Sequence, residues 1–147
     1  MTIRAGFLVA LFLVLPFGGI AFADGAPSPQ LAGNWSFKSW TYDDCSFGGV
    51  ARFQPTEEPG VFTCELTARQ ECPSVSWTVR QSCVARRTDD RVMVTSAIEE
   101  FIEGPATDSY WPDNFVLTMH SSQRMTGSLV SHGVHPSAFT RDAGATS

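Results

Sequence analysis

The sequence predicts an all-β protein, an eight-stranded up-and-down antiparallel barrel held by two disulfides. Three observations carry this expectation. Almost nothing after residue 33 has helical period, whereas apolar–polar alternation of period two recurs along the rest of the chain. The alternating segments are short and joined mostly by tight turns, which favours a closed meander over a Greek-key sandwich with its long crossovers. An antiparallel sandwich is the second choice. The four cysteines also fall into two pairs once hairpin register is counted. With 147 residues, 43% of them apolar and 17% charged, the chain suits one folded domain rather than two cores or a disordered polymer.

Taken in order, the chain begins with a short positive start, Met1-Thr2-Ile3-Arg4, followed by an apolar run over 5–15. The breakers Pro16, Gly18 and Gly19 and the small-residue site Ala21-Phe22-Ala23 come next. This is the layout of a secretory signal peptide over residues 1–23, cleaved before Asp24. The rival reading is an uncleaved anchor, since 5–23 carries no charge, but the Pro-Gly-Gly interruption and the cleavage site favour removal. The first cysteine, Cys45, lies too far along to carry a lipid anchor. Residues 24–33, rich in Pro, Ser and Gly at their start, read as an extended arm, 34–142 as the barrel, and 143–147 as a disordered tail. No later segment approaches membrane-spanning length. Cleavage removes one basic residue and no acidic one, so the net charge of −5 becomes more negative, which disfavours nucleic acid and anionic membrane surfaces as partners.

Strands are expected near 34–42, 46–55, 61–71, 76–87, 91–102, 114–121, 124–131 and 136–141. The connections carry turn chemistry at Glu57-Glu58-Pro59-Gly60, Pro73-Ser74, Asp89-Asp90, Ser122-Gln123 and His132-Gly133. One connection, 103–113, is longer. Parity assigns the faces. In the third strand Phe62, Cys64, Leu66 and Ala68 share one row; in the fourth Trp77, Val79 and Cys83 do; in the sixth Phe115, Leu117 and Met119 do.

An even number of cysteines in an exported chain points to disulfides rather than a metal site, and no C-x-x-C pair is present. With Glu57-Glu58-Pro59-Gly60 as the turn, Thr56 faces Val61, and counting outward brings Cys45 opposite Cys72. With Pro73-Ser74 as the next turn, Cys72 faces Val75 and Cys64 comes opposite Cys83. Both pairs fall on inner rows. Joining Cys64 to Cys72 would require spanning eight residues of one strand, about 26 Å. Cys45–Cys64 with Cys72–Cys83 remains open to a slipped or bulged strand.

Gly33-Asn34-Trp35 at the start of such a meander, with Arg141 on its last strand, resembles the calycin superfamily of lipocalins, avidins and bacterial secreted metalloprotease inhibitors. The resemblance implies that Trp35 closes one end of the barrel and Arg141 packs across it, both structural, with the cation over the ring. In the inhibitor family a short N-terminal arm enters the protease cleft. Four cysteines depart from that family's single disulfide.

Candidate binding residues are Trp77 and Phe62 on inner rows and Tyr110 and Trp111 on the long connection. Core packing is the plain reading for the first two, and folding back on the rim for the other two. Small inner residues at Ser39, Gly49, Ala51, Ala68, Ser96 and Gly127 leave two possibilities, a filled core or a ligand cavity. His132 and His135 have metal-ligand spacing without a third ligand and read as turn residues. The acidic pairs Asp43-Asp44, Asp89-Asp90 and Glu99-Glu100 read as turns and solvated edges, because neighbours on a strand face opposite ways. Nucleophile-elbow, metalloprotease, phosphate-loop and dinucleotide motifs are absent, so neither catalysis nor a cofactor or metal is implied. Asn34-Trp35-Ser36 is formally a glycosylation sequon. The leading expectation is an exported, non-enzymatic barrel that binds a small apolar ligand inside or a protein at its rim. A protease inhibitor acting through its arm and an envelope structural protein are the alternatives. N-terminal sequencing of exported material should begin at Asp24; a start at Met1 would remove the signal-peptide reading.

Overall fold

The structure, a computed structural model, describes residues 30–41 and 44–143. The expected signal peptide, the arm up to residue 29 and the tail from 144 therefore lie outside the described residues. Eight strands follow one another: β1 (Gly33–Ser39), β2 (Ser46–Pro55), β3 (Val61–Glu71), β4 (Ser76–Thr88), β5 (Arg91–Glu103), β6 (Asn114–Ser121), β7 (Arg124–Val130) and β8 (Val134–Arg141). Each pairs antiparallel with the next, and β8 returns to β1, closing the barrel. The expected all-β, up-and-down barrel is the observed fold.

Turn chemistry sets the registers that the sequence led us to expect. Thr56 N–H donates to the Val61 carbonyl at 3.2 Å, and Cys72 N–H to the Val75 carbonyl at 2.9 Å. From those turns the ladders count outward unbroken to Ser46 opposite Glu71 and to Cys64 opposite Cys83. Cys45–Cys72 and Cys64–Cys83 are the two disulfides. Two boundaries differ from expectation by more than one residue. β1 stops at Ser39 instead of running to 42, because Thr41 turns its hydroxyl onto the Cys45 carbonyl (3.0 Å) and bends the chain toward the first disulfide. β8 starts at Val134 rather than 136, because the tight turn with Ser131 N–H on the Gly133 carbonyl sets Val130 directly opposite Val134.

One end of the barrel is shut. Trp35 is fully buried there, the Arg141 guanidinium lies 4.4 Å from its ring centroid, and the indole N–H donates to the Leu31 carbonyl at 2.9 Å. Arg141 also donates to the carbonyls of Ala32 (2.6 Å), Ser122 (2.5 Å) and Gln30, tying the incoming chain to the β6–β7 turn. Gly33 stands at φ +123°, and a side chain there would collide with the same guanidinium. The structural roles implied for Trp35 and Arg141 fit this geometry.

Above this plug the interior is filled. The Phe37 ring stacks on Phe139 at 5.0 Å and meets Phe115 edge-on at 5.3 Å, with Phe53, Leu66, Leu117 and Met125 completing the core. The two inner glycines of β2 and β7 lie against a ring and against neighbouring backbone instead of lining a void. A Cβ on Gly49 would approach Phe37 Cζ at 2.8 Å, and one on Gly127 would overlap the Val116 carbonyl oxygen and lie 2.8 Å from Leu117 Cα. Of the two possibilities left by the sequence, the filled core is the one observed at these positions.

The regular wall ends at β5. Only Arg91–Val94 pair with β6, yet β5 continues beside β4 to Glu103. Two register shifts on the β4–β5 ladder let Glu99 and Glu100 both face water, where Glu100 pairs with Arg80 at 2.6 Å, so these neighbours do not alternate as a flat strand would require. The upper half of β5 thereby rises beyond the start of β6, and the 104–113 connection descends beside it. Gly127→Ala is expected to cost about 1–3 kcal/mol by overpacking against strand backbone. Urea denaturation at constant slope should show it as a lower midpoint; an unchanged midpoint would mean the barrel yields at this point.

Candidate functional site

The other end of the barrel is open, and among the described residues its rim consists of 40–41, 44–45 and the 72–75, 104–113 and 131–133 connections. Cys45–Cys72 ties the first two together. The long connection is shaped by its own side chains. Ser109 N–H donates to Thr107 Oγ1 at 3.1 Å and Tyr110 N–H to the Thr107 carbonyl at 3.4 Å, a turn that sends the Tyr110 ring inward. There it meets Phe101 and Trp77 edge-on, at 5.9 and 6.1 Å. Trp77 donates its indole N–H to the Pro105 carbonyl at 3.0 Å, so it props the connection from beneath.

At the base of this roof sits a buried polar cluster. Gln81, on the inner row of β4, is fully buried, and Asp113, just before β6, is 2% exposed. Asp113 N–H donates to Gln81 Oε1 at 2.9 Å, while Gln81 Nε2 donates back to Asp113 Oδ2. The Tyr110 hydroxyl donates to the same Oδ2 at 2.9 Å. Ser96 on β5 holds the neighbouring backbone, its N–H on Asn114 Oδ1 and its hydroxyl on the Asp113 carbonyl. These bonds replace the ladder that β6 does not extend to upper β5. Burial pushes the Asp113 carboxyl up to about 6, against the opposing pull of the Gln81 and Tyr110 hydrogen bonds and of nearby His132. Burial likewise raises the Tyr110 phenol, with the Asp113 charge adding to it.

The roof is fastened across the mouth to the β7–β8 turn. Trp111 packs on His132 with centroids 4.6 Å apart, Ser131 Oγ donates to the Trp111 carbonyl at 3.3 Å, and His132 Nε2 bonds the Ser109 carbonyl. A carbonyl only accepts, so His132 carries its proton on Nε2. Between roof and turn lies a pocket of about 160 Å³. Phe47, Leu129, Tyr110 and Trp111 give it apolar surface, and Asp113, His132, His135 and Gln70 give it polar groups.

The four residues nominated as ligand-binding are not brought together. Tyr110 and Trp111 line the pocket, the first buried and the second 54% exposed. Trp77 supports Tyr110 without lining the pocket, and Phe62 lies toward the shut end, half-buried against the core. His132 and His135, read from the sequence as turn residues, belong to the pocket lining. Among the described residues no three His, Cys, Asp or Glu side chains converge as metal ligands. Gln81 and Asp113 went unnoticed, though parity marks both: each is a polar residue in step with an apolar inner row.

No known protein family and no curated protein matches this sequence. Among solved structures, the barrel is similar to a de novo designed fluorescence-activating β-barrel, with a TM-score of 0.56 and 15% identity over 78% of this chain and 96% of that one. This likeness supports the fold.

The raised Asp113 carboxyl has a consequence for stability. An unfolded carboxyl titrates near 3.8 and the folded one near 6, so in between the native state holds a proton that the unfolded state lacks. Stability from this group should fall as pH rises from about 4 through 6, by up to about 3 kcal/mol. Asp113→Asn keeps the oxygen that accepts both side-chain hydrogen bonds and cannot ionise. Relative to the parent, the variant should gain stability across that window in urea denaturation; parallel pH profiles would contradict the buried carboxyl.

Proposed function

We propose that this protein is an exported, non-enzymatic binding protein that takes a ring-sized group of a small molecule into the open end of its barrel. The observation that carries this reading is the 160 Å³ pocket between the 104–113 roof and the β7–β8 turn, above an interior otherwise packed with phenylalanines. A cavity of about 150 Å³ suffices for benzene. Apolar walls with a few convergent polar groups are the usual composition of a small-molecule site. Export is supported by the two disulfides, which belong to oxidising compartments, and no helix of the described residues is long and apolar enough to cross a membrane. The non-enzymatic reading rests on the same polar groups: Gln81 and Tyr110 both donate to Asp113 Oδ2, bonds that hold the roof. The expected apolar ligand is thus moved from the barrel interior to its mouth.

A fragment panel of single-ring compounds, followed by tryptophan emission and calorimetry, tests this. Binding should be weakened about tenfold or more by Trp111→Ala and left unchanged by Phe62→Leu at the far end. A ligand response that survives Trp111→Ala, or no response to any ring, would overturn the assignment of the mouth.

A further inference from the structure

The pocket wall holds a buried carboxyl that no lysine or arginine of the described residues pairs with. Asp113 is almost wholly buried, and both its side-chain hydrogen bonds, from Gln81 and Tyr110, fall on Oδ2. Its other oxygen, Oδ1, accepts no hydrogen bond among the described residues, and Asp113 contributes to the pocket wall. No lysine or arginine of the described residues lines that pocket or forms an ion pair with Asp113. The titratable groups acting on it are Tyr110 on its own connection and His132 on the β7–β8 turn, and His135 on β8 lines the same pocket. A carboxylate withdrawn from water without a full cationic partner is costly, and a group that supplies the missing charge is correspondingly favoured. The walls above it are faces and edges of Trp111, Tyr110 and Phe47, the surfaces that attract an organic cation.

We infer that the mouth pocket selects a ring-bearing organic cation, an arylalkylamine or a comparable protonated nitrogen base, whose N–H donates to Asp113 Oδ1 while its ring lies against Trp111. This inference rests on the mouth being the binding site. The lining explains the selectivity against the alternatives. A neutral ring gains the apolar contacts and leaves the carboxylate unpaired, whereas an anion brings a second negative charge beside a buried carboxylate. The acidic balance of the chain, net −5, also attracts a cation at long range.

Benzylamine, benzyl alcohol and benzoate are near-isosteres that carry positive, zero and negative charge. Calorimetric titration of the parent protein at about pH 7.5, above the Asp113 transition, should give benzylamine an affinity at least about tenfold above benzyl alcohol, with benzoate weakest. Asp113→Asn, with folding checked by circular dichroism, should bring benzylamine down to the level of benzyl alcohol. Equal binding of the amine and alcohol by the parent, or tighter binding of benzoate, would overturn the cation assignment and leave the mouth as a neutral ring site. Failure of all three to bind would overturn both the cation assignment and the mouth itself. The ranking in the parent protein decides the question even if the variant does not fold.

Discussion

Closure of the sheet between β1 and β8 is the constraint on which the rest of this structure depends. Trp35 faces Arg141 across that seam, and the guanidinium lies over the indole while reaching three backbone carbonyls. Without the seam, both strands would be exposed edges with unpaired backbone groups, and the inner rows would face water. With it, the circumference is set at eight strands, and the inner rows of all eight converge on a space about as wide as interlocking phenylalanines need. The clamp also joins sequence positions far apart, holding residues before β1 against the β6–β7 turn. Its bonds connect the chain's first described residues to its last strand, a non-local contact that is complete only when the barrel is closed.

The two ends of the barrel are built on different principles. At the shut end, Leu31, Trp35 and Arg141 use apolar burial and saturated hydrogen bonding, and what remains exposed is short turns. At the open end the wall is incomplete by design of the β5–β6 ladder, which stops after Val94. Side chains substitute for strands there: Ser96, Asn114, Gln81 and Asp113 satisfy groups that a longer β6 would have paired. Such a patch costs stability, since it buries a carboxyl where a ladder would bury only amides, and polar networks of this kind are conspicuous where a fold makes room for something else. The roof is held at its base by the Asp113 cluster, from beneath by Trp77 on the Pro105 carbonyl and at its tip by Trp111 on His132, and the pocket lies between the roof and the β7–β8 turn.

Much of this was legible in the sequence because strand structure is a local code. Two-residue alternation assigned faces, turn residues assigned registers, and register favoured pairing Cys45 with Cys72 and Cys64 with Cys83, as the structure has them. The resemblance carried by Gly33, Trp35 and Arg141 pointed to the shut end for the same reason: a plug is made by a few residues whose positions follow from strand parity. Even Gln81 and Asp113 were marked by parity, as polar residues in apolar rows, although what they would touch was not.

By itself, then, the sequence favoured the barrel, its strand order and the observed disulfide pairing, and it assigned the inner rows of the third, fourth and sixth strands. The tertiary structure decided whether the interior is hollow, because the space beside Gly49 and Gly127 depends on how far Phe37 and the neighbouring backbone intrude. It decided that Phe62 and Tyr110 belong to opposite ends, and that His132 and His135 share a pocket with Trp111. The physical reason is one of range. Alternation and turn type are properties of neighbours along the chain, whereas a mouth is assembled from four connections that meet only after the sheet has closed. Where β5 leaves the regular ladder through its bulges, parity itself changes phase, and from that point no count along the sequence could say which side chains Asp113 would meet.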